Sequence, residues 1–114
     1  MATFSLKLKT EEVAIETKEG TEVTYTICEM VGRHMTEYLD ESKNNVLMAD
    51  GKVVGMKSFD GLYAKLLERT VKDSEGELIL RPMIDLWPSS MQKGMFEIAQ
   101  RLNGLGAEDN QGNG

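Results

Sequence analysis

The spacing of apolar residues changes its period along this chain, and that change limits the fold more than any other feature. In the first third, apolar and polar residues alternate. Phe4, Leu6 and Leu8 form one such run, Val13 and Ile15 a second, and Val23, Tyr25 and Ile27 a third. A period of two marks strands with one buried face. Lys18-Glu19-Gly20-Thr21 supplies a turn between the second and third runs, with Gly20 free to take the positive φ of a tight hairpin. Thr10-Glu11-Glu12 separates the first run from the second.

From Glu29 onward the spacing becomes helical. Val31, Met35, Tyr38 and Leu39 make one stripe on a helix expected over Glu29 to Ser42. Phe59, Leu62, Tyr63, Leu66 and Leu67 make a broader face on a second helix, with Ser58 as N-cap and Lys72 near its C-terminus. Pro82 fits the first position of a short helix running to Trp87, and Pro88 stops it. The last helix follows. Ser89 and Gln92 have capping-box spacing; Met91, Met95, Ile98, Ala99 and Leu102 share a face; Gly104 suits the left-handed position that ends a helix. Between the first two helices, Asp50-Gly51 is a turn pair within Val46 to Lys57, read as a small hairpin or an irregular loop. Glu77 to Leu80 reads as a short extended piece after the Asp73-Ser74-Glu75-Gly76 turn. The fold class is therefore α+β. An N-terminal antiparallel hairpin or small sheet packs against three to four helices, as one domain over residues 1–106. Residues 107–114 form a flexible polar tail.

Length and charge narrow the function. A chain of 114 residues can bury a modest core of its own. Its net charge of −6, with dispersed lysines and arginines, opposes nucleic-acid binding, which draws on clustered positive charge. The first ten residues alternate instead of forming a secretory apolar run, and no stretch is long enough to span a bilayer. One cysteine, Cys28, cannot close an internal disulfide, which points to a reducing compartment such as the cytoplasm.

Catalytic and metal chemistry find little to work with. Cys28 and His34 lie six apart, without a third group to orient them, and Cys28 reads more simply as a small buried hydrophobe. One histidine and one cysteine do not make a zinc site. Glu11-Glu12 and Asp40-Glu41 lack the alternating ligands of a calcium loop. Gly51-Lys52 lacks the context of a phosphate loop. No enzyme, metal or cofactor is expected. Eight methionines stand out instead, because methionine adapts its shape to varied apolar partners. Met91, Met95, Ile98 and Leu102, with Tyr63 and Trp87, are the candidate partner-binding residues; core packing is the competing role for each.

Three stretches carry a resemblance to a known family: Ser58-Phe59-Asp60-Gly61-Leu62-Tyr63-Ala64-Lys65-Leu66-Leu67, then Ile84-Asp85-Leu86-Trp87-Pro88-Ser89-Ser90, then Phe96-Glu97-Ile98-Ala99-Gln100-Arg101-Leu102-Asn103-Gly104-Leu105-Gly106. Together with the acidic Glu108-Asp109 behind them, they resemble the tail assembly chaperones of long-tailed bacteriophages over the last half of the chain. The resemblance implies a non-enzymatic protein of the host cytoplasm, absent from the finished particle. Such proteins coat the apolar helical tape measure protein before the tail tube polymerises, and this chain would correspond to the short form. The tail tube protein and a second copy of the chain are further partners open to it. The alternative is a structural tail or head–tail connector subunit retained in the virion.

Overall fold

The computed structural model describes residues 1–106. The tail expected over 107–114 lies outside the described residues. Strands β1 (Thr10–Glu16) and β2 (Glu22–Cys28) form an antiparallel hairpin in which Val13 faces Tyr25 and Ile15 faces Val23. Gly20 takes φ +82 in its turn, where Gly20 N donates to Thr17 O. Strand β5 (Val71–Lys72) pairs with the other side of β2, so the sheet order is β1-β2-β5. A second, separate sheet holds only β3 (Val46–Ala49) and β4 (Lys52–Met56), joined through Asp50-Gly51, both at positive φ. The hairpin reading of that region is the observed one.

Among the described residues, four α-helices complete the α+β fold: α1 (Gly32–Ser42), α2 (Ala64–Leu67), α3 (Arg81–Ile84) and α4 (Ser89–Leu102). The core joins Ile27 and Val71 of the sheet to Leu66 and Leu67 of α2, Ile84 of α3, and Met95 and Ala99 of α4. Burying a side chain of the size of Ile27 or Leu66 stabilises by about 1.5–3 kcal/mol, so these few residues carry much of the fold.

Five expectations are corrected, the first being the short helix: α3 spans Arg81–Ile84 with Pro82 as its second residue, where the sequence predicts a helix from Pro82 to Trp87. Phe4, Leu6 and Leu8 form no strand, and Phe4 and Leu6 are fully solvated. No turn chemistry separates Leu8 from β1, so this run cannot fold back onto the β1 edge; Thr10-Glu11-Glu12 begins the strand instead of dividing two. The helix expected after Ser58 is confined to Ala64–Leu67, and Phe59 is exposed. Gly61 at φ +63 breaks it on one side, and on the other Val71 leaves to pair with Ile27. The first helix starts at Gly32, not Glu29, because Cys28 and Glu29 still bond as strand, to Thr70 O and Lys9 O. Finally, Ser89 is no capping-box residue. Pro88 O accepts the first helical bond, from Gln92 N, and the Gln92 side chain donates to Trp87 O.

The far end of α4 closes as its sequence implies. Gly104 takes φ +66, Leu105 N donates to Gln100 O at 2.9 Å, and Gly104 N donates to Arg101 O at 3.3 Å. This is a Schellman arrangement, and Leu105 packs against the core behind it.

Candidate functional site

The six residues nominated from sequence converge, on the inward side of the molecule. Met95 is only 5% exposed, and Tyr63, Trp87, Met91, Ile98 and Leu102 are half-buried against the core. Trp87 lies 6.0 Å from Tyr25, ring centre to ring centre, which seats the α3–α4 corner on the sheet. Tyr63 meets Phe96 in a tilted contact, ring centres 4.9 Å apart and planes at 56°, joining α4 to the segment before α2. The apolar face of α4 over the three-stranded sheet is the domain's own lid, so these six can meet a partner only along the rims they leave half-exposed.

The freely exposed apolar side chains lie elsewhere, in two groups. Around α3, Leu80, Met83 and Leu86 point to solvent while Ile84 is buried. Arg81 binds Asp60 at 3.2 Å, which ties this stretch to the segment carrying Phe59, 69% exposed. Beside Phe59 opens a cleft of about 210 Å³ that Leu62, Tyr63, Asp85 and Gln92 also line. Of the nominated residues, Tyr63 is thus the one that borders this surface. Asp85 lines the cleft and Asp60 follows Phe59 in sequence, and both carboxylates pair with Arg81.

The second group is the β3–β4 hairpin, where Leu47, Met48, Val53, Val54 and Met56 are all exposed. An isolated two-stranded hairpin is marginal in water, and this one is held at its root by buried polar groups. Asn45 is 4% exposed. Its Nδ2 donates to Ser58 O at 3.0 Å and Asp60 O at 2.8 Å, while its backbone O accepts from Lys57 N and Ser58 N. Its Oδ1 accepts from Lys65 Nζ at 2.7 Å, and Lys65, 6% exposed, also donates to Glu41 O. Both ends of the hairpin are therefore tied to α1 and α2. A lysine beside the apolar Leu66 and Leu67 gives no warning in sequence that it is buried.

Arg69, its side chain 10% exposed, ties α1 to α2 by binding Glu41 at 2.6 Å and Glu37 at 3.6 Å. Burial pulls the Arg69 guanidinium down, and the Glu41 hydrogen bond with the charges of Glu41, Glu68 and Glu37 more than offsets it, so Arg69 stays firmly charged. Burial, opposed by the neighbouring Arg69, leaves the Glu68 carboxyl above the ordinary glutamate range.

Cys28 is buried within the sheet. Among the described residues, no group of three or more His, Cys, Asp or Glu side chains gathers as metal ligands, and no helix is long and apolar enough to cross a membrane. The surface offers apolar contact framed by charge. The chain matches no family model, no curated protein and no solved structure.

Proposed function

We propose that this protein is a non-enzymatic tail assembly chaperone of a long-tailed phage or prophage. In this reading it binds apolar helical faces of the tape measure protein in the host cytoplasm and keeps that protein soluble until the tail tube polymerises. The observation that carries the reading is exposed apolar surface on two segments that the Arg81–Asp60 ion pair ties together: Leu80, Met83 and Leu86 around α3, and Phe59 at the rim of the Tyr63 cleft, on an acidic domain. Exposed apolar clusters rimmed by polar groups mark protein-binding surfaces. Two of the three stretches that resemble the family, Ser58 to Leu67 and Ile84 to Ser90, supply Phe59, Tyr63 and Leu86 to it. Net negative charge keeps a coated complex dispersed, and many weak contacts along one long partner add up through avidity.

Co-expression with the tape measure protein of the same genome tests the reading. A tape measure that is soluble only in complex, and lost again when Met83→Ser and Leu86→Ser are combined in a chain of unchanged circular dichroism, supports it. A tape measure that ignores the wild-type chain refutes it. The projecting β3–β4 hairpin favours a second reading, a structural tail or connector subunit, because arms of this kind join neighbours in assemblies. Detection of the chain in purified particles supports that second reading over the first.

A further inference from the structure

We propose that the β3–β4 hairpin is an assembly arm whose strand β4 adds in parallel to the free edge of β1 in a second copy of this chain. The proposal stands apart from the tape measure reading, since it concerns only contacts between copies. Charge chooses the occupant. The segment from residue 43 to 57 carries Lys43, Lys52 and Lys57 against Asp50, while the chain as a whole is at −6. The arm is thus a basic, apolar projection from an acidic body. The outer edge of β1 has no strand beside it among the described residues, and it displays Glu12 and Glu16, both exposed. Unpaired edges of this kind are templates for an added strand.

The two edges match in register. Lys52 pairs with Ala49, and Lys57 N donates to Asn45 O, four residues back along β3, so Lys52 and Lys57 share a face. The register shift between Leu47 and Met48 absorbs the extra residue Val54 and makes their separation four strand steps, about 13 Å. Glu12 and Glu16 are also four steps apart on one face of β1. Setting Lys52 beside Glu12 and Lys57 beside Glu16 puts Val53 beside Val13 and Met56 beside Ile15, which prolongs the apolar row of β1.

Backbone directions agree with the parallel sense. Lys9 O accepts from Glu29 N, and Thr17 N donates to Thr21 O. Odd residues of β1 therefore face β2, and the amides and carbonyls of Thr10, Glu12, Ala14 and Glu16 face outward. Lys57 N faces β3, which leaves the backbone groups of Met56 outward. In a parallel pair an outward-facing residue lies opposite an inward-facing one; Met56 opposite Ile15 and Lys57 opposite Glu16 meet that condition. Arm and edge are different surfaces, so the contact runs head to tail and either closes or extends.

Sedimentation of the full chain over a concentration series, in low and high salt, tests this with two charge-reversed variants. The wild type is expected to associate, more weakly as salt rises. Lys52→Glu with Lys57→Glu, and separately Glu12→Lys with Glu16→Lys, are each expected to raise the dissociation constant about tenfold or more, with unchanged circular dichroism. Mixing the two variants restores both complementary contacts, so association returns in the mixture alone. A wild type that stays monomeric throughout overturns the proposal and leaves the arm to a different partner. Variants that associate like the wild type, or a mixture no better than its components, overturn it equally.

Discussion

Asn45 is the residue whose loss tests the architecture most sharply. Its side chain makes three hydrogen bonds, two donated by Nδ2 and one accepted by Oδ1 from Lys65. A typical intramolecular hydrogen bond contributes about 1 kcal/mol net, and one to a charged group about 1.5–3. Asn45→Ala therefore costs about 3–5 kcal/mol. About half of this falls on Lys65, 6% exposed, which keeps Glu41 O as its other acceptor. A domain of this size holds roughly 5–15 kcal/mol in all, so the variant is folded but visibly weakened. Asn45→Asp keeps an acceptor for Lys65 and strengthens it with charge, but loses both donors and sets a carboxylate oxygen against Ser58 O and Asp60 O, so it too is destabilising. The assay is urea unfolding with amide exchange at Lys57 and Ser58, whose N–H groups bond Asn45 O. These amides should lose protection before those of β1 and β2, because the hairpin root loosens first. A loss below about 0.5 kcal/mol for Asn45→Ala, the level of an ordinary surface change, would show that the hairpin does not depend on this node.

Gly61→Ala is expected to cost about 1–2 kcal/mol in thermal unfolding, since φ +63 penalises any Cβ and this one would run into the Arg81 guanidinium and disturb its bond to Asp60. Met95→Ala should cost about 2–5 kcal/mol, while Leu86→Ala, 85% exposed, should leave stability within about 0.5 and weaken the proposed binding to the tape measure protein; the reverse order of stability losses would contradict the division into core and surface. Glu68→Gln tests the pH dependence. A carboxyl raised on folding adds stability below the unfolded-state value and loses it as pH rises through the folded-state value. The amide variant should therefore gain on the wild type at neutral pH, and the gain should vanish in acid unfolding titrations.

Where local chemistry and packing agree, the sequence was readable. The β1–β2 hairpin followed from Val13, Ile15, Val23, Tyr25 and Ile27 with a turn glycine between, and α4 followed from its stripe and from Gly104. The failures have a common cause in long-range pairing. Nothing near Val71 announces that it will leave a helical run to join Ile27, forty-four positions earlier, because β2 needed a second neighbour. Phe4, Leu6 and Leu8 have a strand's pattern without a strand's partner. The candidate site divided for the same reason. Periodicity identifies an apolar face without saying whether the protein or a partner covers it, so Met91, Met95, Ile98 and Leu102 went to the core while Leu80, Met83 and Leu86 stayed outside. Asn45 and Lys65 gave no sign at all, since their burial depends on each other.

The cap of α4 has a consequence for the order in which this chain becomes a protein. Asn103 Oδ1 accepts from Met30 N at 2.7 Å while its Nδ2 donates to Ala99 O, so a residue near the end of the described chain completes the junction between the first sheet and the first helix. Met95 and Ala99 cover Ile27 and Val71 from the same helix. During synthesis, β1 and β2 emerge early and can pair, but their inner face stays uncovered until the segment through Leu105 has cleared the ribosome. Translation thus sets when the core shuts. A ribosome paused between residues 30 and 90 holds out a half-built, sticky sheet, and any truncation upstream of Met95 should be taken by chaperones and proteases instead of accumulating as a shorter domain.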